Sequence, residues 1–161
     1  MATNGKKTVN FNLDTREEFC VDGDETRIIR LDIHDINLVS RFSDSIPRIK
    51  QIETKWAELN ENSTGIKEDA DSVDLNEITS FTDAYAEIEK EIRNIVDTIF
   101  DSAGMCDTIL GNVSAFSPIN GRFKYEQIID VLTSLYEDSI SAEAKKFNRK
   151  KVNEKTKKYI R

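Results

Sequence analysis

Apolar and polar residues alternate in three short runs at the start of the chain, at 9–13, 17–22 and 26–32. The second and third runs are separated by a polar turn that begins with Asp22-Gly23. Alternation on both sides of an Asp-Gly pair is typical of a β-hairpin. We therefore predict strands near these three positions in a small antiparallel sheet. So small a sheet needs a helix or a neighbouring subunit to cover its apolar face.

The spacing of apolar residues changes to threes and fours after Asp35, which is well placed to cap a helix. The new spacing keeps its phase across Pro47. We therefore predict one kinked helix, or two helices that meet at Ser45, rather than a true break. The apolar stripe predicted for this element consists of Ile36, Val39, Phe42, Ile46, Ile49, Ile52, Trp56 and Leu59.

A second helix is predicted after an acidic, polar stretch at 60–73, which has the composition of a loop. Asp74 and Glu77 have the spacing of a capping box, so the helix should begin there and continue to about Asp101. Its predicted apolar face consists of Leu75, Ile78, Phe81, Tyr85, Ile88, Ile92, Ile95, Val96 and Ile99. Its predicted solvated face includes Asp83, Glu87, Glu89, Lys90, Glu91 and Arg93.

The segment 103–136 is predicted to form the centre of the core, because apolar residues are dense on both sides of a break in it. Gly104 predicts a stop or a sharp bend, followed by a short helix over 105–115. The sequence Pro118-Ile119-Asn120-Gly121 predicts a reverse turn, since proline fixes φ and Asn and Gly tolerate positive φ. A last helix should begin near Lys124 and continue to Tyr159, with an apolar stripe that thins along its length.

These elements predict an α+β fold that is mainly α. An N-terminal antiparallel β-hairpin or small sheet is followed by a helical bundle with a long C-terminal helix. The 161 residues, 38% of them apolar, fit a single domain, 1–161. Within it we distinguish a β-hairpin region at 9–33, a helical core at 35–144 and a basic C-terminal helical arm at 145–161.

The net charge of −7 is distributed unevenly along the chain. Residues 145–161 carry nine Lys or Arg against one Glu, or +8, and the other 144 residues carry 14 basic and 29 acidic side chains, or −15. This basic arm is predicted to bind an acidic surface, either of its own body or of an identical neighbour, which would give head-to-tail association. Phosphate binding is the alternative for such a cluster of cations.

The composition argues against most catalytic chemistry. His34 is the only histidine, and Cys20 and Cys106 lack the spacing of a metal site. Both cysteines are predicted to be buried or half-buried thiols, not a disulfide. The glycine-rich phosphate loops and nucleophile elbow are also missing from the sequence. We therefore expect a non-enzyme with no cofactor and no metal.

Candidate partner-binding residues lie at the two ends of the last predicted helix. Phe123 and Tyr125 are the aromatic residues best placed to reach the surface, although core packing is the favoured interpretation for both. On the basic arm the candidates are Lys145, Lys146, Phe147, Arg149, Lys150 and Lys151.

No apolar run approaches the roughly 20 residues that cross a bilayer. The stretch 1–13 lacks the apolar segment of a secretory signal. We expect an intracellular protein that does not enter a membrane.

Two long runs resemble a known family. They are FNLDTREEFCVDGDETRIIRLDIHD with the following INLVSRFSDSIPRIKQIE, and GMCDTILGNVSAFSPINGRFKYEQIIDVLTSLYE with its basic ending. Both resemble the small tail assembly chaperones of long-tailed bacteriophages and prophages of Gram-positive bacteria. The resemblance covers most of the chain outside 60–73 and consists of an overall pattern, not a short motif.

The resemblance implies a non-catalytic, largely helical assembly factor in the bacterial host cytoplasm. Such proteins coat the tape-measure protein before the tail tube polymerises around it, and they self-associate. The tail tube protein is a further implied partner, and some members also have a longer form made by frameshifting. Two alternatives remain open: a structural or adaptor component of the tail, and a nucleic-acid-binding regulator that uses the basic arm. The acidic body argues against nucleic acid.

Overall fold

A computed structural model describes the backbone of residues 5–68 and 75–159 and the side chains of residues 5–61 and 78–148. Eight elements are found in these ranges. They are β1 (Glu17–Val21), β2 (Asp24–Leu31), α1 (Leu38–Glu68), α2 (Leu75–Ile99), α3 (Met105–Leu110), β3 (Pro118–Ile119), β4 (Arg122–Phe123) and α4 (Lys124–Tyr159). The predicted class is confirmed: the fold is α+β and mainly α, with an N-terminal antiparallel hairpin and a long C-terminal helix.

The predicted Asp-Gly hairpin is confirmed, but the third strand is not. Asp22 and Gly23 both have positive φ, 52° and 75°, which gives the turn the twist that a two-residue hairpin needs. Val21 pairs with Asp24 across this turn. The prediction of a strand at 9–13 is wrong, because that segment pairs with neither strand of the hairpin.

Helix α1 is one continuous element that passes through Pro47. It begins at Leu38, three residues after Asp35, whose carboxylate accepts the Asn37 N–H at 2.9 Å in the turn that leads into the helix. The loop predicted for 60–73 is wrong over 60–68, where the helix continues, and the remainder of that stretch lies outside the described residues. The capping box at Asp74 also lies outside them.

The buried face of α1 differs from the predicted stripe at its start. Leu38 is buried, whereas Val39 and Ile36 are each 71% exposed. Farther along, Ser45 is 4% exposed and donates its hydroxyl to the Arg41 carbonyl at 2.8 Å. A polar residue thus occupies a core position that sequence periodicity could not assign.

Helix α2 supplies the centre of the core with five aliphatic residues at helical spacing. They are Ile88, Ile92, Ile95, Val96 and Ile99. The helix ends two residues before the predicted Asp101, which adopts a left-handed φ of 48°. The Ser102 N–H then donates to the Asp97 carbonyl at 3.0 Å, as in a Schellman-type cap.

A second face of α2 is polar and half-buried, which contradicts the prediction that Glu89 and Arg93 are solvated. Side chains at every fourth position hold the segment that includes α3 and the residues after it. We call this set the α2 polar column; it consists of Tyr85, Glu89, Arg93 and Asp97. Asp97 accepts the Gly104 and Cys106 N–H groups at 3.1 and 2.8 Å. Burial raises the pKa of Asp97, although these two donors act in the opposite direction.

Arginines from the N-terminal half bind the carbonyl groups at the ends of α2 and α3. Arg41 donates to the Ile99 carbonyl at 2.8 Å, and Arg16 donates to the Asp101 carbonyl at 3.0 Å. Arg27 donates to the Thr108 carbonyl at 3.1 Å and to that of Ile109. Cations are favourable at helix C-termini, where carbonyl groups lack partners and the dipole is negative. These contacts attach the hairpin region to the helical core.

The segment before α4 forms a second, very short hairpin instead of a proline turn between two helices. Its turn is centred on Asn120 and Gly121, with φ of 50° and 77°, and Pro118 lies in the first strand. The predicted turn is therefore displaced by one residue. Helix α3 ends at Leu110, earlier than the predicted 115.

Helix α4 spans Lys124–Tyr159, as predicted. Tyr125, Leu132 and Tyr136 are buried on it, whereas Val131 is 51% exposed. None of the helices in the described residues is both long enough and apolar enough to cross a membrane.

Cys20 and Cys106 are free thiols in different environments. Cys106 is buried, as predicted, whereas Cys20 is exposed on β1. Burial and the nearby Asp97 carboxylate raise the pKa of the Cys106 thiol. The protonated form of Cys106 is therefore strongly favoured, and it behaves as a small core residue.

Candidate functional site

The first half of α1 carries apolar side chains on its outer side. Val39 is 71% exposed and Ile46 is 37% exposed. They are seven residues apart and so lie on one face of the helix, two turns from each other. Phe42 and Ile49 lie beside them and are half-buried. The predicted α1 stripe is therefore divided: Ile36, Val39 and Ile46 are exposed, whereas Phe42 and the second half of the stripe pack against the core.

This outer face leads into a groove between α1 and the beginning of α4, with a volume of about 330 Å³. We call it the α1–α4 groove. Ile129 of α4 is 9% exposed and contributes an apolar side chain opposite α1. The groove is thus apolar on both sides. Its apolar lining consists of Phe42, Ile46, Ile49, Tyr125 and Ile129.

Tyr125 joins the two sides of the α1–α4 groove. Its ring is 1% exposed, and its hydroxyl donates to the Glu53 carboxylate on α1. Burial and the neighbouring Glu53 charge raise the pKa of the Tyr125 phenol, which keeps the hydroxyl protonated as a donor. The separation between α1 and α4 is therefore fixed by a buried polar contact as well as by packing.

Charged side chains border the apolar lining and partly neutralise one another. Arg122 pairs with Asp130 and lies 4.0 Å from Glu126 one turn along α4. Lys50 and Glu53 line the α1 side. An apolar floor with a mixed polar rim is the general form of a protein-binding groove.

An aromatic cluster supports the floor of this groove from below. The ring centroids of Trp56 and Phe116 are 5.6 Å apart, and those of Trp56 and Phe123 are 4.9 Å apart. The Tyr125 ring lies 5.6 Å from Phe123 in a stacked arrangement. Such contacts contribute about 0.5–1.5 kcal/mol per pair beyond burial. The cluster therefore stabilises this end of the molecule.

The structure separates the two groups of predicted partner-binding residues. Tyr125 is in the core and Phe123 is half-buried in the aromatic cluster, in agreement with the favoured interpretation of core packing. Phe147 is 59% exposed, and Lys145 and Lys146 are exposed on the last part of α4 whose side chains are described. Arg149, Lys150 and Lys151 continue this helix, but their side chains lie outside the described residues.

Sequence reasoning missed the outward orientation of Val39 and Ile46 because periodicity does not say which side of a stripe faces the core. One signal was available. Leu38 and Ser45 join four members of the predicted stripe, Phe42, Ile49, Ile52 and Trp56, in a series with alternating spacings of four and three. The polar Ser45 hides this series from an apolar pattern.

Comparison of the chain with protein families, with characterised proteins and with solved structures gives no match.

Proposed function

We propose that this protein is a non-catalytic tail assembly chaperone of a long-tailed phage or prophage. In this proposal it binds an amphipathic helix of the tape-measure protein in the host cytoplasm. The observation that carries the proposal is the exposed apolar face of α1, from Val39 to Ile46, which continues into the α1–α4 groove. The sequence resemblance to this class of chaperone supports the same function.

An amphipathic helix is the ligand whose shape and chemistry suit the α1–α4 groove. Such a helix presents apolar residues at intervals of three and four and places them between two neighbouring helices. Val39, Phe42, Ile46 and Ile49 follow the same spacing on the α1 side. Binding would remove these side chains from water, which contributes about 25 cal/mol per Å² of apolar area. Such a mode of binding requires no catalytic residue.

The mixed rim suits a partner made of many similar helical segments. Arg122 is paired with Asp130, and the lining as a whole holds two cations against three carboxylates, so the groove carries little net charge to select one particular sequence. Affinity then depends mainly on apolar side chains at helical spacing. A chaperone that coats a long helical protein needs this degree of tolerance.

The test is co-expression with the tape-measure protein encoded in the same genome, followed by co-purification. Ile46→Glu should weaken binding by about tenfold or more, since fully burying one aliphatic side chain contributes about 1.5–3 kcal/mol. Ile78→Glu on α2 is the matched control, because Ile78 is 40% exposed and lies outside the groove. Equal binding by both variants would contradict the proposed groove.

Other outcomes would support the two alternatives. Recovery of the protein from purified, washed particles would favour a structural or adaptor component of the tail. Salt-sensitive binding to DNA or RNA, lost when residues 145–161 are deleted, would favour a nucleic-acid-binding regulator. Either result, without co-purification of the tape-measure protein, would overturn the chaperone assignment.

A further inference from the structure

The segment before β1 has the pattern of a strand but pairs with neither strand of the hairpin. Val9, Phe11 and Leu13 alternate with asparagines, and they are 68%, 74% and 79% exposed. Three large apolar side chains at every second position would share one face of an extended chain. The isolated chain therefore exposes to water an apolar face that is about as long as one strand.

Two contacts fix the direction of this segment at its C-terminal end. The Thr15 hydroxyl donates to the Asp32 carboxylate at 2.7 Å. Arg16 binds the carboxylate of Asp101 at 3.0 Å, at the end of α2. The chain is therefore anchored to the body at residues 15 and 16, and residues 9–13 lead away from β1 instead of folding back on it.

The strand β1 has a free edge beside an apolar groove. Within the described residues β1 pairs only with β2, so its other edge has backbone groups available for another strand. A groove of about 520 Å³ lies next to it, which we call the hairpin groove. Phe19 and Val21 line one side of it, and Ile128, Val131 and Leu135 of α4 line the other. Val131 is 51% exposed there.

We propose that residues 7–13 of one copy of the chain add as an antiparallel strand to the free edge of β1 in a second copy. Val9, Phe11 and Leu13 then enter the hairpin groove of that copy. This addition is independent of tape-measure binding, which uses the α1–α4 groove.

The antiparallel direction follows from charge. It places Lys6 and Lys7 beside the acidic turn of the other copy, which contains Asp22, Asp24 and Glu25. The parallel direction would move these lysines to the opposite end of β1, where Arg16 and Arg30 lie beside Glu17 and Glu18 and offset their charge. Complementary charge at the end of an added strand favours one orientation over the other.

The register follows from the two apolar faces. Directly opposed residues of an antiparallel pair point to the same face of a sheet. Pairing Phe11 with Phe19 places Val9 opposite Val21, so that all four side chains face the hairpin groove. Asn10 then lies opposite the exposed Cys20. Asn12 has a left-handed φ of 53° in the single copy and would become extended, a change that asparagine tolerates better than most residues.

In this arrangement each copy donates its residues 7–13 to one neighbour and accepts the same segment of another neighbour at its own β1 edge. The contact is therefore heterologous, and addition can continue from copy to copy. Mass should increase with protein concentration beyond the 18.4 kDa of one chain. The apolar part of the contact should persist at about 0.5 M salt, which screens contacts between surface charges such as those of the basic arm.

The first test is light scattering after gel filtration at about 0.5 M salt. Phe11→Asp removes the donor and Val131→Glu removes the acceptor, so each variant alone should be monomeric. Their equimolar mixture should form a 1:1 heterodimer, because Val131→Glu can donate to the intact groove of Phe11→Asp. Val39→Asp is the control: its residue is 71% exposed, and this variant should associate like the wild type.

The mixture distinguishes association from loss of folding, because an unfolded variant could neither donate nor accept. A mixture that stays monomeric, or a wild-type chain that is monomeric at every concentration, would overturn the proposal. If Val39→Asp loses tape-measure binding but still self-associates, the result bears on the exposed face of α1 and leaves the strand addition unaffected. The two proposals thus fail separately.

The second test checks the register by a disulfide. Asn10→Cys should form a disulfide with the exposed Cys20 of another copy under mild oxidation, since opposed Cα atoms in an antiparallel pair lie within the range that a disulfide spans. Asn12→Cys, two positions away, is the offset control and should link poorly. A disulfide within one chain, or equal linking by both variants, would overturn the proposed pairing.

Discussion

The Nε–H of Arg93 donates to a carboxylate oxygen of Glu89, one turn earlier on α2, at 2.8 Å. The same oxygen accepts the Ala115 N–H at 2.8 Å. Ser114 donates its hydroxyl to the other Glu89 oxygen, also at 2.8 Å. Since the Ser114 proton is directed to Glu89, the Tyr85 hydroxyl must be the donor in its own contact with Ser114. Glu89 thus accepts three donors and is almost fully satisfied.

Arg93 extends this network to the segment after α3. Its Nη1 donates to Asp107 at 2.9 Å and to the Gly111 carbonyl at 3.1 Å, and its Nη2 donates to the Val113 carbonyl at 2.8 Å. Burial lowers the preference of Arg93 for its charged form, but Glu89 and Asp107 outweigh this effect and raise its pKa. The planar guanidinium is needed because it reaches several acceptors at fixed angles.

Replacing Arg93 with Met should therefore destabilise the protein by about 2–4 kcal/mol, because Glu89 would lose its charged partner and three other acceptors would lose donors. Arg93→Lys should recover only part of this, since lysine keeps the charge but not the fork. Urea unfolding gives the free energy of unfolding of both variants. Lys90→Met, on the exposed side of the same helix, is the control. If Arg93→Met were as stable as Lys90→Met, the network would have no structural role.

Two tyrosines on α4 allow the contribution of a buried hydroxyl to stability to be compared with and without a hydrogen-bond partner. Tyr125→Phe should destabilise the protein by about 1–2 kcal/mol, because the Glu53 carboxylate would lose its donor. Tyr136→Phe should be neutral or slightly stabilising, because within the described residues the Tyr136 hydroxyl is buried without a hydrogen-bond partner. Thermal and urea unfolding of the two variants side by side give the comparison. A larger cost for Tyr136→Phe would contradict this assignment of the two hydroxyls.

The pH dependence of stability should include a contribution from Asp35. Burial alone would raise the pKa of its carboxyl, but the Asn37 N–H and the Arg41 guanidinium outweigh it and hold the pKa below the ordinary 3.8. A carboxyl whose pKa is lower in the folded state contributes stability above the unfolded pKa, and loses it as pH falls through the folded pKa. Asp35→Asn should therefore be less stable than the wild type near neutral pH.

The difference between Asp35→Asn and the wild type should narrow below about pH 4, where the unfolded-state carboxyl becomes protonated. Urea unfolding at a series of pH values from acid to neutral gives the free energies of unfolding of both proteins. Asp44→Asn, on the exposed side of the same helix, serves as the comparison. A constant difference across this range would show that the Asp35 charge does not contribute.

In the Asn120-Gly121 turn, we expect substitution of Gly121, but not of Asn120, to lower the stability of the protein. Gly121 has φ of 77°, and a β-carbon there meets no atom within 4 Å, so the cost of a side chain is conformational, not steric crowding by neighbours. Gly121→Ala should cost about 1–2 kcal/mol. Asn120→Gly keeps a permitted positive φ and should change stability little. Equal unfolding midpoints for the two variants would contradict this turn type.

The elements that sequence determined best are those with a strong local signal. The Asp22-Gly23 hairpin was predictable because an Asp-Gly pair supports two successive positive φ angles. The full length of α4 was predictable because 124–159 contains no Gly or Pro to interrupt it. The core face of α2 was predictable over 88–99 from its dense aliphatic spacing, whereas Ile78, predicted for the same face, is 40% exposed.

The wrong predictions have a shared physical cause: tertiary contacts override the structure that the local sequence pattern favours. Residues 9–13 have the alternation of a strand, but a strand requires an edge to pair with, and Arg16 directs this segment away from β1. Glu89 and Arg93 have the composition of a solvated face, but they are enclosed because the segment after α3 needs donors and acceptors for its backbone.

The sequence by itself determined the fold class, the hairpin turn and the length of α4, because each depends on backbone preferences within a few residues. Only the tertiary structure decided which side of α1 faces the core. Leu38 and Ser45 are buried whereas Val39 and Ile46 are exposed, and the two sets lie on adjacent faces of one helix. Periodicity defines a stripe, but packing against α2 and α4 selects the face that is buried and leaves the other for a partner.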